Sequence, residues 1–244
     1  MLDFTPDGLG VPVSIPSEHG LLYGELGVLP HSPGIVVLAH ATLALDAKDK
    51  LLAGQFRRAG LSTLSVDLLA HQEERFPHVH NNVPLLSRRL VDFLGLLKNR
   101  VLMGELREQP VGIFAANATS PVAIRVAALR DHDIAAIVCR SGLIDLAGVL
   151  YLRALEAPLL VLAEESDEPH IACNQRALQE IGCHKEFRII PEIGSDYAAS
   201  NGIATCIDAA TTWFIHCFSN HSLERAQGLR DEGNDSSTPG ETSG

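Results

Sequence analysis

A chain of 244 residues, 46% hydrophobic and 20% charged, has the size of one compact domain, and that size suits a single large α/β domain. Its formal net charge of −11 argues against a sequence-independent grip on nucleic acid, which rewards a Lys/Arg surface through counterion release, and against anionic membranes for the same reason. MLDFTPDGLG at the start lacks a basic stretch leading into an apolar one, and apolar runs elsewhere are strand-sized, well short of the roughly 20 residues that span a bilayer, so a soluble cytoplasmic protein is expected.

In chain order, VPVSI at 11–15 and LLYGELGV at 21–28, joined by a polar turn, read as a β-hairpin. Six runs follow that are apolar on both faces, as strands buried in a parallel sheet should be: GIVVLA (34–39), LSTLSVDLL (61–69), VGIFAA (111–116), IAAIVC (134–139), PLLVLAE (158–164) and EFRII (186–190). Helical periodicity occupies the gaps, over 47–59, 83–100, 118–130, 171–181 and 202–218. In the second of these, Leu86, Leu90, Phe93, Leu94 and Leu97 form an apolar face while Arg88, Arg89, Asp92 and Lys98 fall toward water. Strict alternation of strand and helix demands right-handed crossovers, so the predicted architecture is an α/β three-layer sandwich. Its mostly parallel eight-stranded sheet would carry an antiparallel N-terminal hairpin and no cap domain. One domain is expected over 1–220, followed at 221–244 by a Ser-, Gly-, Thr- and acid-rich tail too poor in burial to offset its ordering entropy.

Five cysteines (Cys139, Cys173, Cys183, Cys206, Cys217) form an odd set without CxxC spacing, which fits buried thiols in a reducing compartment. No cofactor motif is present, and no metal motif uses them.

A sheet of this kind invites a search for a nucleophile elbow, the sharp strand-to-helix turn that exposes a Ser or Cys. The suitably placed turn is GIFAANATSPVAIRVAAL at 112–129. Further stretches lie in the same register: VLAH (37–40), SVDLLAHQEE (65–74), VPLLSRRL (83–90), VCRSGLIDLAG (138–148) and ESDEPHIACNQRAL (165–178). Together they resemble the dienelactone-hydrolase family of the α/β-hydrolase fold, which suggests a bacterial protein. Fold alone does not settle function.

The resemblance implies that Asn117 stands at the nucleophile position, with Ala115 and Thr119 where the family has flanking glycines. Asn tolerates positive φ, so the turn can persist without its chemistry. Asp167 matches the acid of the triad, and the histidine position falls on Ser195, or on Asp196 if the loop is shifted by one. The former oxyanion and pocket positions are His40, Ala41, Thr42, Ala118 and Arg140; HATLAL at 40–45 lacks glycines, though Thr42 could still offer a hydroxyl.

Other readings of these residues are weaker. Cys139 is the best-placed substitute nucleophile, with Ser141 two residues on, but alternation along the strand puts Arg140 on the opposite face, and a packed core thiol is favoured. Asn117 could deamidate to Asp, whose ester would still need an activated water and the missing base. His71, His78 and His80 lack zinc spacing and read as solvated loop histidines. Arg140 and Asp145 form either a structural ion pair, the favoured reading, or a retained anion pocket. The chain is thus expected to be a pseudoenzyme that binds a protein or a small ligand, alone or as a subunit of a larger complex; the alternative is a weak or unorthodox hydrolase of small esters or lactones.

Overall fold

The computed structural model describes residues 10–42, 45–76, 78–129, 134–193 and 201–235. The predicted hairpin is β1 (Val11–Ser17) and β2 (Gly20–Gly27), paired antiparallel. The six predicted sheet strands are β3 (Ile35–His40), β4 (Ser62–Asp67), β5 (Val111–Ala116), β6 (Ile134–Arg140), β7 (Leu159–Glu164) and β8 (Lys185–Ile190). They form one eight-stranded sheet in the order β1-β2-β4-β3-β5-β6-β7-β8, parallel from β4 to β8, with β2 joining β4 antiparallel. β3 through β7 are buried on both faces; β8 is not, because it is the edge strand and much of it faces solvent.

Helices α1 (Ala47–Arg58) and α6 (Asn201–Asp235) cover one face of the sheet, and α2 (Val83–Leu102), α3 (Ser120–Ala128), α4 (Val149–Ala154) and α5 (Glu168–Leu178) cover the other. On the α1/α6 side, Phe56 meets Phe114 and Phe214 edge to face at ring separations of 5.5 and 6.1 Å. Gly112 is required there, since a Cβ would lie 2.6 Å from the Phe214 ring.

Two expectations need correction. Arg89 does not face water: it is 2% exposed and makes a bidentate pair with Glu73, itself 1% exposed, through two contacts of 2.7 Å, with a third 2.7 Å bond to the Leu68 carbonyl. The planar fork satisfies both carboxylate oxygens, which is what allows two charges to be buried together. The second correction concerns the tail. α6 runs on through 221–235, and Arg225 reaches Glu108 at 2.8 Å; residues 236–244 lie outside the described residues. Among the described residues, no helix is long and apolar enough to cross a membrane.

Candidate functional site

The carboxyl ends of the central strands converge on one cleft. β5 ends in extended geometry at Ala116, and the chain then turns through Asn117 at φ +52° into α3. That is elbow geometry, held by a residue whose short amide side chain tolerates the left-handed region. Thr119 at the expected glycine position is no vacancy filler. Its buried hydroxyl accepts the Ala116 N–H at 3.0 Å and lies 2.9 Å from both the Ala39 and Ala116 carbonyls, tying the elbow to β3. From the other side Gly142 presses on the turn: a Cβ there would collide with the Asn117 carbonyl and the Ser120 hydroxyl.

Cys139 is sealed beneath the elbow. It is fully buried, its thiol donates to the Ser120 carbonyl at 3.7 Å, and burial pushes its pKa up to about 12, so it cannot supply a thiolate. Arg140 pairs not with Asp145, as the sequence suggested, but with Glu164 at 3.3 Å. The reason is positional: β6 and β7 are neighbours in register, so their carboxyl ends bring these two side chains together, while Asp145 sits out on an exposed turn. Glu164 also accepts the Ser141 hydroxyl and the Ile193 N–H, each at 3.0 Å. Ser141 adopts φ +50°, a second non-glycine residue in the left-handed region at this strand-end level.

Asp167 occupies the N-cap of α5 without capping it; its carboxylate instead lies 2.6 Å from Nδ1 of His170, on the first turn of the helix. Both side chains are about one third exposed. His170 was not singled out in the sequence, although the signal was available: Asp-Glu-Pro-His after a strand reads as an N-cap with histidine three residues on, the spacing at which a capping residue meets the N3 side chain. Ser195 and Asp196 lie outside the described residues.

At the end of β3, His40 turns its Nδ1 to Asp49 at 2.9 Å, leaving a buried Nε2 with no partner among the described residues. Asp49 is in turn the N3 residue of a capping box with Asp46 at the start of α1. Its pKa is lowered, because the bonds from His40 and the cap outweigh its partial burial. Thr42, considered as an oxyanion donor, gives its hydroxyl to Asp67 at 3.2 Å. Ala41 is half-buried against the core, and Leu43 and Ala44 lie outside the described residues.

Asn117, Ala118, Ser141, Glu164, Asp167 and His170 line an open cleft of about 670 Å³, with His80 and Asn81 at its rim. The rings of His78 and His80 lie 6.5 Å apart, and among the described residues no group of three His, Cys, Asp or Glu could hold a metal ion. The arrangement brings together two of the three expected triad positions, Asn117 and Asp167, adds His170, and keeps His40 and Thr42 on other partners.

No family model matches the chain. In three dimensions it is similar to a dienelactone hydrolase from Anabaena variabilis, with a TM-score of 0.76, 29% identity, and coverage of 85% of this chain and 97% of that one. It is also similar to Est1E from Butyrivibrio proteoclasticus (TM-score 0.64, 10% identity, 85% and 99% covered) and to a CIB-like hydrolase from Thermoplasma acidophilum (0.65, 10%, 85% and 98%), likenesses that concern the fold. The chain has the α/β-hydrolase fold. Among curated proteins it is 30% identical over 194 residues to a Mycobacterium tuberculosis protein described as a "putative phosphoribosyl transferase"; the match takes in 79% of this chain and 43% of that protein. The chain thus spans less than half the length of the curated relatives it matches.

Proposed function

We propose that this chain is a divergent, non-catalytic member of the dienelactone-hydrolase type that holds a small ligand in the cleft above Asn117. The observation that carries the reading is the elbow itself, which keeps its left-handed turn while presenting an amide that cannot attack a carbonyl. An open cleft favours a ligand there over a role confined to the outer surface. Asp167, His170, Ser141 and Asn117 supply donors and acceptors converging from three elements, while Leu143 and Leu146 supply apolar contact. A protein partner or larger complex would then sense the occupied cleft from outside.

One feature favours a second reading, a slow hydrolase. The Asp167–His170 pair has the orientation in which a carboxylate fixes an imidazole through Nδ1 and leaves Nε2 free to take a proton from water, so hydrolysis would proceed without an enzyme-bound ester. Phosphoribosyl transfer, the activity in the name of the mycobacterial relatives, is no part of the proposal, because the match leaves more than half of those proteins outside it.

Purified chain incubated with p-nitrophenyl acetate, short-chain lactones and a fluorophosphonate probe tests both. The non-catalytic reading expects neither turnover above buffer nor covalent labelling. Turnover abolished by His170→Ala would establish the second reading, and turnover abolished by Asn117→Ala would overturn the first outright.

A further inference from the structure

At the end of the sheet opposite the cleft lies a separate cavity of about 260 Å³. Its apolar wall is made by Leu94, Leu97 and Val101 of α2 facing Ile35, Val111 and Ile134, the first residues of β3, β5 and β6. The cleft residues Asn117 and Glu164 stand at the other ends of their strands. Six residues of strand separate the two sites, roughly 20 Å at the rise of an extended chain. The part of α6 beyond the sheet contributes His221 and Arg225 to the cavity, and the 2.8 Å pair between Arg225 and Glu108 fastens that part to the loop below.

The polar rim is mainly basic. Among the described residues that line it, Lys98, Arg107 and Arg225 stand beside one carboxylate, Glu108, with His221 next to them, in a chain whose formal net charge is −11. Lys98 and Arg107 are exposed and have no hydrogen-bond or ion-pair partner among the described residues. An apolar wall rimmed by basic side chains, Lys98 and Arg107 among them, complements a molecule with a hydrocarbon body and an anionic head: the body leaves water against the aliphatic wall, and the head takes charge-assisted hydrogen bonds at the rim. At roughly 30 Å³ for each water-sized group, the cavity holds roughly eight or nine such groups.

We propose that this cavity is a second binding site, for a small amphipathic carboxylate of medium chain length, with Lys98 and Arg107 receiving the carboxylate and Leu94, Leu97 and Val101 the chain. The site is independent of the reading given for the cleft.

Octanoate titrated into the full chain by calorimetry tests it, with 1-octanol as the neutral counterpart. Saturable binding of octanoate is expected, at least tenfold tighter than octanol. Lys98→Glu and Arg107→Glu, both at exposed positions, should each weaken it at least tenfold, and Val101→Trp, which fills the cavity, should remove it. Equal binding of octanoate and octanol, no saturable binding, binding indifferent to both charge reversals, or loss caused by Asp167→Ala in the cleft would each overturn the proposal. The octanoate–octanol comparison uses the unaltered chain and so does not depend on how any variant folds.

Discussion

Asp67 offers a stability experiment with a sign that is hard to obtain by accident. It ends β4 at 3% exposure, accepting the Leu69 N–H at 3.1 Å and the Thr42 hydroxyl at 3.2 Å. Burial outweighs those two bonds, a third from the Thr42 backbone N–H and the nearby His40, and pushes the carboxyl up from 3.8 to about 7. Between these values the unfolded chain has released the proton while the folded chain still holds it, so stability falls as pH rises and is fully present only below the unfolded pKa. Each pH unit in that window is worth about 1.4 kcal/mol, giving about 4 kcal/mol in all. Asp67→Asn keeps the shape, accepts from Leu69 and can donate to the Thr42 oxygen, but has nothing to ionise. The carboxyl of Asp49, whose pKa is lowered, contributes stability that is lost only as pH falls below the ordinary carboxylate range, so it does not obscure the window. Urea unfolding of both proteins from pH 4.5 to 8 should show the variant gaining on the natural chain steadily as pH rises, most of the gain accruing by pH 7. A stability difference that stays constant across that range would refute the assignment.

Removing the guanidinium in Arg89→Met leaves the Glu73 carboxylate buried without its partner and should cost about 3–5 kcal/mol; adding Glu73→Gln should recover part of the loss in a urea double-mutant cycle. Asn117→Ala places an ordinary L side chain at φ +52° and should lower stability by about 1–2 kcal/mol, whereas Asn117→Gly should be neutral or stabilising, as read by thermal melts. Gly142→Ala should cost about 1–3 kcal/mol by driving a methyl group into the Asn117 carbonyl, with chemical-shift changes centred on 116–120 in NMR spectra. In native protein at pH 8, iodoacetamide should leave Cys139 and Cys206 unmodified, since both are buried with thiols pushed up to about 12, while the half-exposed Cys173 is modified; early labelling of Cys139 would contradict the packing described.

Much of this molecule is legible in one dimension because burial leaves a periodic trace. β3, β5, β6 and β7 read as continuous apolar runs since both faces of the sheet are covered, and the apolar stripe of α2 appears at helical spacing since only one of its faces is. The elbow is legible for a different reason: a strand ending in small residues and re-entering a helix leaves few residues able to hold its left-handed turn, and Asn117 is one of them. Periodicity misplaced Arg89, because a charge at a face boundary is assigned to water unless its partner is known, and Glu73 comes from a segment outside the helix. Composition likewise misread 221–235, where continuation of the preceding helix and the anchor at Glu108 act on a stretch without apolar rhythm.

From the sequence alone follow the order and kind of the elements, hence the parallel sheet, and the amide rather than a hydroxyl or thiol at position 117; both depend on local pattern and residue identity. Only the tertiary structure decides which groups share the cleft. Asp167 meets His170, Arg140 meets Glu164 rather than Asp145, and His40 turns to Asp49, because the register between β6 and β7, the helix turn of α5 and the seating of α1 set those distances. Which side chain stands at the elbow is a property of one position, whereas what a cleft can bind depends on side chains brought together from separate strands and helices.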